Sequence, residues 1–285
     1  MVMSLRDLFG RHCLASYDQQ LCLAAVVGDK PWQLDLDRGL LSFSADLAFP
    51  IQVLGAQAEH DRSWLWAWAN RQSGIPPALL RSALQLRDFG IVNGVKELTE
   101  PRLIPREIDG HYFALVAAGV CKADCYYRCP YEGGAAFALI PEAPQVRAQA
   151  DRSATWLASR ILEVISKWEV DHRSAIEAYL EFKGYRCRKE AEHWLAEADA
   201  ENQLVLEFDE LGRLSKLETS REPPPRRDKD RAQVGLLKAN SNRVARSAAS
   251  LLRTRWKRTD AAAPLASTLW RTIRKRQADA DDAGL

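Results

Sequence analysis

Ser63-Trp64-Leu65-Trp66-Ala67-Trp68-Ala69 places three tryptophans at every second position. Strict alternation predicts a strand with the three indoles on one face and Leu65, Ala67 and Ala69 on the other. Both faces are apolar, the pattern of a strand buried on two sides. The competing use is an aromatic platform, since a stacked nucleobase is worth about 1–3 kcal/mol. Only Arg62 and Arg71 flank the stretch, so core packing is the favoured reading. The strand pairs as a hairpin with Pro50-Ile51-Gln52-Val53-Leu54, across a turn near His60-Asp61-Arg62.

Working outward, residues 4–20 read as a helix capped by Ser4, with Leu5, Leu8, Phe9 and Cys13 at helical spacing. From Leu21 the period shifts towards two, and 21–27 is a short apolar run. Trp32, Leu34 and Leu36 alternate, Asp37-Arg38-Gly39 turns, and Leu41 and Phe43 return as a second hairpin. Pro76-Pro77 opens a helix that Gly90 stops, and 93–110 reads as loop. Strands are expected at 112–120, 124–129 and 135–140, the last two joined through Glu132-Gly133-Gly134. One helix is expected over 153–183, roughly 45 Å long, with Gly184 at its end. Residues 185–196 stay open between strand and helix. A hairpin at 203–208 and 213–217 closes the series.

At 285 residues, 47% hydrophobic and 27% charged, the composition excludes collagen, a disulfide mini-protein and wholesale disorder. No apolar run approaches the roughly 20 residues of a membrane span. Asp7 sits where a signal peptide needs positive charge, so a secretory signal is not expected. Six dilute cysteines read as reduced thiols, and the expected location is cytoplasmic. The net charge of +2 conceals an asymmetry. Residues 221–285 hold 16 Lys+Arg against 7 Asp+Glu, a net of +9; residues 1–220 hold 24 against 31, a net of −7. The basic segment begins at a stiff linker, Glu222-Pro223-Pro224-Pro225-Arg226-Arg227. Two short helices are expected in it, one over about 234–258 and one after Pro264.

Few residues announce chemistry. Cys121, Cys125 and Cys129 have soft-metal donors, but on a strand neighbours four apart lie about 13 Å from each other, so buried free thiols are expected. Adjacent helical residues point about 100° apart, so Asp171-His172 is no acid–base pair, and His172 reads as a satisfied core histidine. The chain has no nucleophile elbow, phosphate-binding loop or zinc-protease motif. No metal and no cofactor is expected. Binding residues are expected in the basic segment at Arg253, Arg255, Lys257, Arg258, Arg274, Lys275 and Arg276, with Trp256 and Trp270 interleaved. An enzyme, the less favoured class, would use a pocket drawn from Asp61, Arg87, Asp88, His111 and Tyr127.

The string Trp64-Leu65-Trp66-Ala67-Trp68-Ala69-Asn70 resembles the bacterial DUF6882 proteins. Leu54-Gly55 before it, Leu86-Arg87-Asp88-Phe89-Gly90 after it, and Tyr126-Tyr127-Arg128 with Gly133-Gly134 fit the same pattern. The resemblance covers about residues 5–140. It implies a shared fold and carries no catalytic residues.

These readings combine into an α+β protein. Residues 1–145 form an antiparallel sheet with flanking helices. Residues 150–220 add a long helix and a hairpin, as a second small domain or packed on the same sheet. Residues 221–285 are a loosely attached helical tail. The expected function is a non-catalytic binding or adaptor module, immunity-like, with a protein partner. Nucleic-acid association through 221–285 is the alternative, and a membrane surface is the least favoured.

Overall fold

Ser4 starts the first helix by closing its first turn from both ends. Its hydroxyl accepts from the Asp7 N–H at 3.1 Å, and the Asp7 carboxylate accepts from the Ser4 N–H at 2.9 Å. The computed structural model describes residues 3–105 and 108–220. The helical tail expected over 221–285, and the expected binding residues Arg253, Arg255, Lys257, Arg258, Arg274, Lys275 and Arg276, lie outside the described residues.

Helix α1 (Leu5–Val27) leads into strands β1 (Gln33–Asp35), β2 (Leu40–Ser44), β3 (Leu47–Pro50), β4 (Gln52–Ala58) and β5 (Trp64–Trp66). Helix α2 (Arg81–Asn93), the short β6 (Arg102–Leu103), helix α3 (Gly110–Val120), β7 (Cys125–Tyr131) and β8 (Gly134–Ile140) follow. The chain continues through α4 (Pro144–Arg147), α5 (Ala154–Lys167), α6 (His172–Lys183), β9 (Arg186–Glu190), β10 (His193–Glu197), β11 (Gln203–Phe208) and β12 (Leu214–Ser220). The class is α+β, as expected. The strands make three antiparallel sheets rather than one: β1-β2-β3, β6-β5-β4-β8-β7 and β12-β11-β10-β9.

The central five-stranded sheet is buried on both faces, and β8 shows why. Its Ala135, Phe137 and Leu139 face α1 and α3, together with Trp64 and Trp66. Its Ala136, Ala138 and Ile140 face the three-stranded sheet, against Leu41, Phe43 and Phe49. Trp64 and Trp66 are fully buried and cross edge-on at 5.2 Å, with Phe113 stacked on Trp64 at 5.0 Å. Each indole removes on the order of 200 Å² from water, several kcal/mol at about 25 cal/mol per Å². That exceeds what one stacked base returns, and the core reading prevails.

Residues 150–220 do not lie on this sheet. Helices α5 and α6 pack against α1, and the inner face of β9–β12 (Trp194, Ala196, Leu204, Leu206, Phe208) closes over them in one continuous core.

Several elements depart from the sequence reading. Residues 112–120 form α3, not a strand. Asp109 caps the helix by accepting from the Tyr112 N–H at 3.1 Å. Because α3 is enclosed by the sheet and α1, its apolar residues surround the axis and leave no 3.6-residue period to read. Gly110 permits that enclosure: a Cβ there would lie 2.4 Å from the Phe137 ring. Helix α1 runs on through Val27 because Cys22, Leu23 and Val27 are buried in a second core, the one shared with the three-stranded sheet. Strand β5 stops at Trp66, and 67–69 turn into a 3-10 helix, so Trp68 leaves the face of the other two indoles.

Residues 47–54 serve two sheets. β3 pairs with β2, and β4 begins at Gln52. Pro77–Leu79 is a separate 3-10 turn, and α2 passes through Gly90 to end at Gly94 with φ 70°. The helix expected over 153–183 is two. Asp171 accepts from the Ser174 N–H at 2.7 Å and starts α6 afresh after α5 ends at Trp168. The open segment 185–196 is strand, β9 and β10, turning at Ala191.

Candidate functional site

Charges placed on apolar helix stripes mark the most distinctive site. Asp18 sits between Leu14 and Leu21 on the buried stripe of α1 and is 1% exposed. Lys183 follows Tyr179 by one turn on α6 and is 3% exposed. On α5, the spacing of Trp156, Arg160 and Glu163 sets three polar groups on one face. The three helices bring these groups together.

Asp18 Oδ2 meets Lys183 Nζ at 2.5 Å, and Asp18 Oδ1 accepts from Trp156 Nε1 at 2.7 Å. Lys183 also donates to the Asp151 carbonyl at 2.8 Å. Arg160 lies over the Trp156 ring at 4.7 Å and pairs with Glu163 at 3.0 Å. Glu163 in turn accepts from the Tyr17 hydroxyl at 2.5 Å. A continuous polar seam thus joins α1 to α5 and α6. Burial pushes the Tyr179 hydroxyl well up, aided by Asp18. Burial, then Asp18, raises the Cys22 thiol to about 11. The desolvation cost of a buried ion pair offsets most of its attraction, so its net contribution is small, yet each partner becomes costly to remove alone. Chemically, the seam fixes the register of α1 against α5–α6.

A second constellation lies where α3 meets β7. His111 Nδ1 and the Tyr126 hydroxyl share a 2.8 Å hydrogen bond, and Phe137 packs edge-on against the imidazole at 5.3 Å. Burial holds the His111 imidazole down to about 4 and pushes the Tyr126 hydroxyl well up. The Gln20 side chain donates to the Tyr126 carbonyl at 2.9 Å and accepts from its N–H at 2.8 Å. It satisfies backbone groups that edge strand β7 would otherwise leave open.

The residues of the expected pocket are set apart from one another. Asp61 lies in the β4–β5 turn, paired with Arg102 at 2.8 Å. Arg87 and Asp88 pair with each other on α2 at 3.1 Å, with the Arg87 guanidinium 5.6 Å from the Trp68 ring. His111 is on the helix side of the central sheet. Tyr127 is on the opposite side, edge-on to Phe43 at 4.9 Å. Cys125 and Cys129 are buried free thiols on the second face of β7, while Cys121, a free thiol that is only half-buried, ends α3 and donates to the Ser82 carbonyl at 3.6 Å. Among the described residues no cluster of three His, Cys, Asp or Glu can hold a metal. No helix among them is long and apolar enough to cross a membrane. His172 is satisfied, accepting from the Leu214 N–H at 2.9 Å, but it sits in the first turn of α6 rather than in mid-helix.

Sequence reasoning missed Asp18, Trp156, Arg160, Glu163 and Lys183, and chose Tyr127 where Tyr126 bonds His111. The signal was present at three of these positions. Asp18, Arg160 and Lys183 interrupt otherwise apolar helical stripes, and a charge placed there needs a buried partner. No curated protein and no solved structure matches the chain. Residues 6–142, from α1 through β8 and up to the seam's second half, match the model of DUF6882, a family of unknown function.

Proposed function

We propose that the protein is a non-catalytic binding or adaptor module, immunity-like in kind, acting on a protein partner in the cytoplasm. The observation that carries this reading is that the reactive side chains serve the fold. Burial raises the Cys13 and Cys121 thiols to about 12 and those of Cys125 and Cys129 further, leaving them as thiols rather than thiolate nucleophiles. Asp18 and Lys183 neutralise each other, and His111 is held neutral against Tyr126. Adjacent Ile91 and Val92 at the end of α2 are instead 64% and 82% exposed, apolar surface of the kind partners cover. The test is affinity capture by the full chain and by an Ile91→Asp, Val92→Asp variant. A partner lost by the variant, with unfolding unchanged, supports the reading. Equal capture by both proteins, or none, counts against that surface.

The charge of 221–285 favours a second reading, nucleic-acid association. It requires binding that falls steeply with salt, and binding that ignores salt would end it. An enzymatic pocket from Asp61, Arg87, Asp88, His111 and Tyr127 is less well supported, because the central sheet stands between His111 and Tyr127.

A further inference from the structure

Among the described residues the β9–β12 sheet is covered on one face. Trp194, Ala196, Leu204 and Leu206 point inward, to the core that α5 and α6 share. The strand registers put Arg188, Leu195, Val205 and Glu218 in one row on the other face. Glu190, His193, Glu207 and Lys216 form a second outer row. Leu195 and Val205 are half-buried at the centre of this face, ringed by charges that pair across it, Arg188 with Glu197 at 3.2 Å and Lys216 with Glu207 at 3.2 Å and Glu218 at 3.1 Å. Among the described residues no element packs over them.

We propose that this outer face is an intramolecular docking surface whose occupant is the chain's own basic segment, residues 221–285. Three observations converge on that occupant. The first is connectivity: β12, an edge strand of this sheet, ends at Ser220, and 65 residues of chain follow it directly. The second is charge. The outer face carries Glu190, Glu197, Glu207 and Glu218 against Arg186, Arg188 and Lys216; residues 150–220 as a whole hold 15 Asp+Glu against 10 Lys+Arg, a net of −5, while 221–285 carries +9. The third is apolar content. Val244, Ala248, Leu251 and Leu252 recur at helical spacing within that segment and match the apolar centre of the face.

Tethering makes a weak contact sufficient. Covalent connection raises the segment's effective concentration at the face, so even a modest intrinsic affinity keeps the face covered where the linker spans the distance. The contact is independent of the partner reading above, since it needs no second molecule. It gives the basic segment a site that a polyanion would have to displace, and salt would loosen it.

Zero-length carbodiimide cross-linking of the full chain, read by mass spectrometry, tests this. The expected result is links from Lys238, Lys257 or Lys275 to Glu197, Glu207 or Glu218, in material of monomer mass. Their yield should fall at least about fivefold in high salt, and comparably in a Val205→Arg variant whose unfolding transition is unchanged. Three results would each overturn the proposal: links concentrated on Glu97 and Glu100 near α2, links found only at dimer mass, or no link from the segment to the body. A partner captured through Ile91 and Val92 would leave it untouched, so the two readings fail separately.

Discussion

Lys183 and Asp18 are paired directly in a place that water does not reach. Lys183→Met should leave Asp18 buried and unpaired, at a cost of about 3–5 kcal/mol. Adding Asp18→Asn should return much of that loss, because the apolar–polar replacement removes the stranded charge. Urea unfolding of both single variants and the double measures this coupling, and additive losses would contradict it. The histidines give a pH prediction at the same scale. Burial holds His12 and His111 down to about 4, against an ordinary value of 6.5. In the unfolded chain both take up protons first as the pH falls. The stability they contribute is therefore complete above about 6.5 and drains away as the pH drops towards about 4. NMR titration should show both rings neutral at pH 5.5, and the melting temperature should decline through that window. His111→Gln should flatten the decline.

Helices α1, α3, α5 and α6 begin where a capping side chain stands: Ser4, Asp109, Ser153 and Asp171. Asp171 makes two helices of one apolar period by ending the reach of α5 and starting α6. Asp171→Ala should cost about 1 kcal/mol, seen as a lower midpoint in thermal unfolding with the native spectrum retained. A loss near zero would mean that packing of Val170 and Ala175, rather than the cap, sets the break. The same scale explains α3. An apolar run of nine residues fits a buried strand or a buried helix equally well by period. Asp109 was the available start signal, and only contact with α1 and the sheet on opposite sides made the helix the lower-energy choice. Hairpins were easier to read, because a glycine turn and two-residue alternation are local properties: Gly133 with φ 86° joins β7 to β8 where expected.

At the scale of the whole molecule, the family match ends at residue 142, but the core does not. The α1 face bearing Leu14, Tyr17, Asp18 and Leu21 is covered by α5 and α6 from outside the match. A chain ending at residue 145 should therefore expose that face together with an unpaired Asp18. We expect such a chain to bind hydrophobic dyes and to unfold without a sharp transition. A cooperative transition at the full chain's midpoint would show that residues 6–142 complete a core by themselves.

Local pattern by itself determined the α+β class, the hairpins, the burial of Trp64 and Trp66, and the resemblance carried by the tryptophan string. Alternation, turn residues and aromatic content act over a few residues and need no partner to be read. That α3 is a helix, that β3 and β4 belong to different sheets, and that Asp18 has Lys183 follow from long-range packing. Those outcomes depend on which surfaces meet, for Asp18 and Lys183 across 165 residues of chain. A buried charge or an all-apolar segment takes its meaning from the group placed opposite it.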